Sequence, residues 1–313
     1  MGDKINIGVI GTGKLGTYHV EKLLSIPNVN LIGIHDSDQN SMDRCRQKYG
    51  VVTFKDIAML LDKCQAITIA TSTINHFEVA LKALEKGLHI FIEKPITDNI
   101  DDAIKISDIA KKNDRLIQVG HIERFNNAFK QSLEFINKPQ FIEIHRISPF
   151  PNRSLDIPVV MDVMIHDLDI LLSINKSNPI KKIHATGASI VTNFIDLANA
   201  RIEFKDGLVA NLTASRISSK QMRKIRIFQD KSYIGIDLSE KKLDVYKINN
   251  DKDDFIDVRS IDVKDEDALE SELSHFIHCI TNNDIPLVSA NDGIDALKLA
   301  VKIEDLIKEG RLI

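Results

Sequence analysis

Residues 5–16, with the sequence INIGVIGTGKLG, decide the fold of the N-terminal part of the chain. Ile5 to Ile10 is almost wholly apolar, which is typical of a strand covered on both faces of a parallel sheet. Three glycines follow this strand at once, and a helical pattern from Tyr18 to Leu24 follows them. A GxGxxG sequence between a strand and a helix is the pattern that binds the pyrophosphate of a dinucleotide.

Each glycine of this loop has a physical reason. The first permits the tight turn, the second lets the backbone approach a pyrophosphate, and the third lets helix and strand pack closely. The N–H groups at the start of the helix then offer hydrogen bonds to the anion. The predicted cofactor loop consists of Gly11, Thr12, Gly13, Lys14, Leu15 and Gly16.

A second apolar strand, residues 30–35, ends at Asp36, twenty residues beyond Gly16. An acidic side chain at this spacing accepts hydrogen bonds from the adenosine ribose, although a turn or helix-capping role for Asp36 is the alternative. A carboxylate repels a 2′-phosphate, and no arginine follows it immediately. The sequence therefore favours NAD over NADP as cofactor.

Strand and helix patterns continue to alternate as far as Gly120. Further strands are predicted at 66–70, 88–92 and 116–119, with helices at 76–86 and 104–112. This alternation predicts a doubly wound parallel sheet of the Rossmann type over residues 1–120. The hydroxyl residues Thr71, Ser72 and Thr73 follow the third strand, at the edge where open α/β sheets bind ligands, so we predict that they contact the cofactor.

Lys94 follows the fourth predicted strand directly. Beside a nicotinamide, its ammonium would stabilise a forming alkoxide or polarise a carbonyl, whereas a merely solvated lysine is the alternative. Pro95 removes a backbone donor, fixes the exit of the chain and is compatible with a cis bond.

A second set of candidate residues lies in residues 159–172, VVMDVMIHDLDILL, which read as an apolar helix. Asp162, His166 and Asp169 fall at i, i+4 and i+7, within an arc of roughly 60°. Each is either a satisfied core polar group or part of a site, because desolvated polar groups are costly. An imidazole oriented by a carboxylate is the minimum for a general base, so we predict that Asp162 and His166 are catalytic.

The remainder of the chain is dominated by strands between residues 180 and 248, with a hairpin signal at Asp206-Gly207. We predict an α+β domain over residues 121–313 with a large open, mainly antiparallel sheet, and we consider packing of the last helix on the first domain. An apolar outer face of such a sheet indicates a homodimer or homotetramer. Four residues are candidates for an anionic-substrate pocket, with ordinary ion pairs at the surface as the alternative: Arg124, Asn126, Arg146 and Arg153.

The composition excludes several function classes. The chain has 313 residues with a net charge of -4, which argues against a nucleic-acid partner. Three cysteines lack metal-ligand spacing, so neither a metal nor a disulfide framework is expected, and they fit a reducing cytoplasm. No secretory signal precedes the first strand and no apolar run reaches the length of a membrane span, so no membrane partner is expected.

Three stretches together resemble the Gfo/Idh/MocA (glucose–fructose oxidoreductase / inositol dehydrogenase) family of nicotinamide-dependent sugar dehydrogenases. They are GTGKLG, the segment HFEVALKALEKGLHIFIEKP from His76 to Pro95, and DxxxHDxD from Asp162 to Asp169. The resemblance implies an active site between the domains. It places the lysine of the EKP motif at Lys94 and the helix aspartate and histidine at Asp162 and His166. It also adds His76, Glu93 and Lys94 to the cofactor site. Thr73 stands where the family often has proline, so the loop on the nicotinamide side departs from the family pattern.

Two further stretches, GHIERFNNAF from Gly120 and RISPFPNRSLDIPVVMDVMIHDLDI from Arg146, are similar to the branch that oxidises the 3-hydroxyl of UDP-N-acetylglucosamine. The expected function is NAD-dependent oxidation of a sugar or sugar-nucleotide hydroxyl, with Lys94 and His166 contacting the substrate. Inositol or polyol oxidation and tetrapyrrole reduction are the enzymatic alternatives, and a non-catalytic NAD-binding sensor or assembly protein is the other.

Overall fold

The computed structural model describes residues 4–150, 157–176, 178–248 and 255–310. The chain divides into two compact units. The first is Met1–Ile122 with Asp267–Ile294, and the second is Glu123–Glu266 with Asp295–Ile313. The sequence-based division at residue 120 placed residues 267–294 in the second domain, whereas the structure places them in the first unit.

The first unit is built on a parallel sheet with helices in the crossovers. The described residues place five strands in the order β2-β1-β3-β4-β5. Its strands are β1 (Ile5–Ile10), β2 (Val29–His35), β3 (Ala66–Ile69), β4 (His89–Glu93) and β5 (Ile117–Gly120). Its helices are α1 (Lys14–Ser25), α2 (Gln39–Tyr49), α3 (Ile57–Leu61), α4 (His76–Glu85), α5 (Ile100–Lys112) and α8 (Ala268–Asn282). This arrangement confirms the predicted doubly wound parallel sheet.

The core of this unit explains why α8 belongs to it. Leu273, Phe276 and Ile277 of α8 are buried in the same apolar cluster as β1, β2 and α1. Burying these three side chains removes a large apolar area from water, which is the main favourable term in folding. A helix nearly 150 residues further along the chain therefore completes the N-terminal core. Local sequence patterns carry no signal for such a long-range packing partner.

The second unit is built on a larger sheet. The described residues place eight strands in the order β13-β12-β11-β10-β6-β9-β8-β7. Neighbours are antiparallel except β6 and β9, which are parallel. Its strands are β6 (Phe141–Ile147), β7 (Ile180–Ala188), β8 (Leu197–Phe204), β9 (Val209–Ser215), β10 (Met222–Gln229), β11 (Ser232–Asp237), β12 (Lys242–Ile248) and β13 (Ile256–Ile261). Its helices are α6 (Asn127–Ser132), α7 (Ile165–Ile174) and most of α9 (Ala290–Glu309).

One face of this sheet is packed and the other is open. Residues such as Ile144 of β6 and Ile225 of β10 are buried against α7 and α9, while the alternate positions are partly exposed. The alternation follows from the period of two of a strand that is half buried. The predicted hairpin is confirmed, because Gly207 adopts a φ of 97° between antiparallel β8 and β9.

One edge strand was not predicted from the sequence. Residues 252–267 were interpreted as an exposed charged segment, whereas the structure forms β13 there, paired with β12. Its residues are indeed mostly exposed, so their pattern lacks the apolar alternation by which strands are recognised. In the part of the chain that the structure describes, no helix is both long and apolar enough to cross a membrane.

Candidate active site

The glycine-rich loop has the geometry that a dinucleotide requires. Gly11 has a φ of 90°, and a Cβ there would lie 2.6 Å from the carbonyl oxygen of Ala70. A Cβ on Gly16 would lie 1.8 Å from the carbonyl oxygen of Gly11, so no other residue fits between α1 and the loop. A Cβ on Gly13 would meet nothing within 4 Å. The glycine at 13 therefore leaves space beside the backbone that the protein itself does not fill.

The start of α1 faces the same loop. No side chain caps this helix, so its first N–H groups are available to an anion. Lys14 and Leu15 lie exposed in the first turn. These features fit the pyrophosphate of a dinucleotide, which would be held by the loop residues and the first turn of α1.

Asp36 is tied to this loop by hydrogen bonds. Its Oδ2 accepts from the Thr12 backbone N–H at 2.5 Å and from the Thr12 hydroxyl at 3.0 Å, and its Oδ1 accepts from the Asp38 N–H at 2.9 Å. The turn role considered for Asp36 is therefore observed. A carboxylate has about four acceptor positions, so Asp36 retains capacity for a ribose hydroxyl, and that role stays a prediction.

The loop after β3 is organised by His76. Thr73–Asn75 form a turn of 3₁₀ helix before α4, and the Asn75 amide donates to the Ser72 hydroxyl at 2.9 Å. His76 Nδ1 lies 2.9 Å from the carbonyl oxygen of Pro95, and its Nε2 lies 3.3 Å from that of Thr71. Burial lowers the pKa of His76, so the neutral ring has one N–H to donate. His76 thus joins the β3 loop to the segment that follows Lys94.

Glu93 forms a buried pair that the sequence analysis missed. His19 of α1, with no exposed surface, places Nε2 3.0 Å from Glu93 Oε1, and its ring packs edge-on against Phe91. Burial disfavours the Glu93 carboxylate, but the hydrogen bond from His19 and the charges of His19 and Lys94 outweigh it, so the pKa of Glu93 lies below its ordinary value. His19 lies among the buried residues of α1. A polar residue at a buried position of a helix is the sequence pattern that indicates such a pair.

Lys94 lies directly after this pair, at the end of β4. Its side chain is half buried, and the Lys94–Pro95 peptide bond is cis, as Pro95 allowed. The structure therefore gathers the glycine loop, Glu93 and Lys94 at the carboxyl edge of one parallel sheet, where ligands bind in open α/β folds.

In the second unit, Asp162 and His166 lie on a distorted helix. The predicted helix begins with a π-helical turn, Val160–Met164, in which the Ile165 N–H donates to the carbonyl of Val160, five residues earlier. The spacing of 100° per residue therefore does not hold across Asp162. Both side chains are half buried. Turns of this kind occur often at functional sites.

The neighbouring acidic residues are enclosed instead. Arg124 donates to both oxygens of Asp169, at 2.7 and 2.9 Å, and both side chains are buried. Arg146 donates to Asp167 at 2.7 and 2.9 Å and to Glu123 at 2.6 Å. Burial opposes the Arg146 charge, but Asp167 and Glu123 outweigh it and raise its pKa. Asp169 therefore does not share the environment of Asp162 and His166.

These contacts bear on the four residues suggested for an anionic substrate. Arg124 and Arg146 make buried ion pairs rather than the surface pairs considered as the alternative. Asn126 caps α6 by accepting from the Ala128 N–H at 3.1 Å, and its amide donates to the Leu238 carbonyl at 3.1 Å. Arg153 lies outside the described residues.

A further buried ion pair holds the start of the π-helical turn. Arg216 donates to Asp196 at 2.9 Å and to the carbonyl of Ile157 at 2.8 Å, while the Val159 N–H donates to the carbonyl of Ile195 at 2.8 Å. Burial disfavours the Asp196 carboxylate, yet hydrogen bonds from three backbone N–H groups hold its pKa below the ordinary value. No local sequence pattern signals this pair.

Comparison with known proteins agrees with this architecture. Residues 5–121 match the model of an oxidoreductase family with an NAD-binding Rossmann fold, and residues 139–234 match the GFO/IDH/MocA C-terminal domain. The chain belongs to the GFO/IDH/MocA oxidoreductase family. The first matched segment contains the glycine loop and Lys94, and the second contains Asp162 and His166. The resemblance drawn from the sequence is thereby confirmed, together with a nicotinamide cofactor.

Several members of the GFO/IDH/MocA family are similar over nearly the whole chain. The UDP-N-acetylglucosamine 3-dehydrogenase of Acidithiobacillus ferrooxidans is 33% identical, over 87% of this chain and 88% of that protein. Its solved structure has a TM-score of 0.93, with 98% of each chain covered and 30% identity. The myo-inositol 2-dehydrogenase of Thermotoga maritima is 27% identical, over 99% of this chain and 98% of that protein.

Proposed function

We propose that this oxidoreductase is an NAD-dependent dehydrogenase of a sugar nucleotide, oxidising the 3-hydroxyl of UDP-N-acetylglucosamine to a 3-keto sugar. The observation that carries the proposal is the 33% identity to a UDP-N-acetylglucosamine 3-dehydrogenase, across 88% of that relative. The inositol dehydrogenase match is weaker in identity, at 27%, although it covers more of the chain.

In this proposal, three side chains act on one hydroxyl group. His166 removes its proton, and Asp162 orients the ring and stabilises the imidazolium that results. Lys94 stabilises the negative charge that develops on the oxygen. The partial exposure of all three supports these roles, because a substrate can reach them. NAD, when bound, supplies the hydride acceptor.

The buried ion pairs of Arg124 and Arg146 favour a role in positioning α7 over direct contact with the substrate. Arg124 and Arg146 hold Asp169 and Asp167 of α7, the helix that begins beside His166. We therefore propose that they contribute to substrate binding by fixing this helix. Direct contacts by Asn126 and Arg153 stay predictions.

NAD, rather than NADP, is the proposed cofactor because of the charge on Asp36. The change Asp36→Asn keeps an acceptor for the Thr12 N–H but removes the negative charge that repels a 2′-phosphate. We expect the preference for NAD over NADP, measured as the ratio of their dissociation constants by calorimetry, to fall at least about tenfold. Asp108→Asn, an exposed change on α5, serves as the control. An unchanged ratio in Asp36→Asn contradicts this role.

The reaction itself is tested by mixing the protein with NAD and a panel of substrates and following NADH absorbance. We expect NADH formation with UDP-N-acetylglucosamine and little with free N-acetylglucosamine or inositols. Turnover of inositols without UDP-sugars supports the inositol alternative and contradicts the substrate proposed here. NAD binding with no turnover of any hydroxyl substrate supports a non-catalytic NAD-binding role.

We also propose that the open face of the large sheet joins two copies of the chain. A row of rings crosses four strands there, from Phe141 through Phe228 and Tyr233 to Tyr246, with centroid distances of 5.8, 4.9 and 4.9 Å. Val258 of β13 extends the row and is 51% exposed. A continuous apolar row on a sheet face is the kind of surface that a second subunit covers.

The change Tyr233→Lys tests this assembly. A charged side chain in the middle of the ring row is costly to bury, so we expect the mass in solution, measured by light scattering, to fall from a dimer or tetramer to a smaller species. Met59→Lys adds the same charge at an apolar side chain of α3 that is 58% exposed and lies outside this sheet, and it should leave the mass unchanged. A wild-type monomer, or a Tyr233→Lys protein with the wild-type mass, contradicts the proposal.

A further inference from the structure

Arg223 occupies an unusual position in the large sheet. It stands opposite Arg146 in the antiparallel pairing of β10 with β6, so both side chains lie on the same face. The next residues of β10 on that face, Ile225 and Ile227, have no exposed surface. The Arg223 side chain is nevertheless 45% exposed. An arginine on the packed face of a sheet, yet open to solvent, requires an explanation.

The two opposed arginines differ in their contacts. The Arg146 guanidinium is buried and is held by Asp167 and Glu123 at 2.6 to 2.9 Å. In the described part of the chain, Arg223 has one ionic contact, Nη1 to Glu123 Oε1, at 3.6 Å. That distance exceeds a hydrogen bond. The five N–H donors of Arg223 are therefore largely available, while Glu123 limits where its guanidinium lies.

Arg223 also lies close to the helix that carries the candidate catalytic histidine. Its charge acts on Asp167, the residue that directly follows His166. Glu123 and Arg146 link Arg223 to Asp167, because Arg146 bonds to Asp167 and shares Glu123 with Arg223. The start of β10 and the start of α7 are thus joined by one charged network, with Arg223 as its exposed cation.

We propose that Arg223 binds the diphosphate of a nucleoside diphosphate sugar, and this inference rests on the proposed function. The planar guanidinium presents two parallel N–H groups to phosphate oxygens, an arrangement that ammonium groups do not provide. Arg146 was one of four candidates for an anionic-substrate pocket, but its donors are directed to carboxylates. Arg223 was missed because its strand pattern places it on the core face.

The experiment compares Arg223→Met with Arg226→Met. Arg226 lies on the opposite face of the same strand, with a side chain 47% exposed and a 2.9 Å ion pair to Glu143. UDP is the probe, and its dissociation constant is measured by calorimetry. We expect Arg223→Met to raise it at least about tenfold, with a parallel rise in KM for UDP-N-acetylglucosamine. In Arg223→Met, the affinity for NAD and kcat at saturating substrate should change less than about threefold.

The outcomes separate this inference from the proposed function. If the wild-type protein binds UDP and Arg223→Met binds it equally well, Arg223 is not the diphosphate ligand, whether or not UDP-sugars are turned over. Loss of UDP binding in Arg223→Met supports the inference even if the oxidised sugar differs from the one proposed. A wild-type protein with no affinity for UDP overturns both the inference and the proposed substrate.

Arg223→Lys is the control for a folding defect. It keeps the charge beside Glu123 but lacks the planar pair of donors, so we expect an intermediate loss of UDP affinity with an unchanged unfolding temperature. Wild-type UDP affinity in Arg223→Lys and in Arg223→Met contradicts the inference.

Discussion

Replacing His166 by alanine is expected to lower the turnover number of the sugar dehydrogenation at least about a hundredfold while NAD binding is unchanged. The change removes the group proposed to take the hydroxyl proton. Its position in the first turn of α7, after the π-helical turn, leaves the ring half buried beside enclosed acidic residues. Turnover is measured as NADH formation, and NAD affinity by calorimetry. His184→Ala, an exposed histidine of β7, is the matched control.

Lys94→Met is expected to have an effect of similar size. It preserves the length and apolar stem of the side chain but removes the charge that would stabilise the developing oxyanion. Because Glu93 keeps its hydrogen bond to His19 in this variant, the fold at the end of β4 should persist. Near-normal turnover in both His166→Ala and Lys94→Met would end the assignment of these two residues as catalytic.

The second large effect is on stability. Arg124→Met leaves the Asp169 carboxylate buried without its two donors, and we expect the free energy of unfolding to fall by about 3–5 kcal/mol. The double change Arg124→Met with Asp169→Leu removes both charges and should restore most of the loss. Unfolding in urea, followed by circular dichroism, gives these values. Arg44→Met, whose side chain is 70% exposed on α2, should change stability by less than about 0.5 kcal/mol.

This experiment distinguishes the two roles considered for Arg124. If Arg124 contacts the substrate directly, Arg124→Met should weaken substrate binding with little change in the free energy of unfolding. If Arg124 fixes α7, the free energy of unfolding should fall first. Unchanged stability in Arg124→Met, with weakened binding of UDP-N-acetylglucosamine, would contradict the positioning role proposed here.

The fold could be predicted where the spacing of apolar residues and the positions of glycines indicate local structure. β1 coincides with the predicted strand at residues 5–10, and the glycine loop follows as expected. The mainly antiparallel sheet was predicted from the succession of strands between residues 180 and 248 and from the hairpin signal at Asp206-Gly207. By contrast, β13 is exposed along most of its length, and α8 joins a core whose strands lie far away in sequence. Neither fact leaves a local pattern.

The candidate site was predictable in its residue types but not in its pairing. Asp162, His166 and Asp169 appeared as one polar stripe on a regular helix. The π-helical turn breaks that regular spacing, and Arg124 encloses Asp169. Likewise, a sequence cannot tell which of two arginines on neighbouring strands will be neutralised by carboxylates. Arg146 and Arg223 differ in this respect only through Glu123 and Asp167, which come from other elements.

The most direct test of the central claim is a single-turnover measurement. Protein saturated with NAD is mixed rapidly with UDP-N-acetylglucosamine, and NADH absorbance is followed in the wild type, His166→Ala and Lys94→Met. The account predicts one rapid equivalent of NADH per wild-type chain and a rate at least about a hundredfold lower in each variant. NADH formation at the wild-type rate in either variant, or none in the wild type, would contradict it.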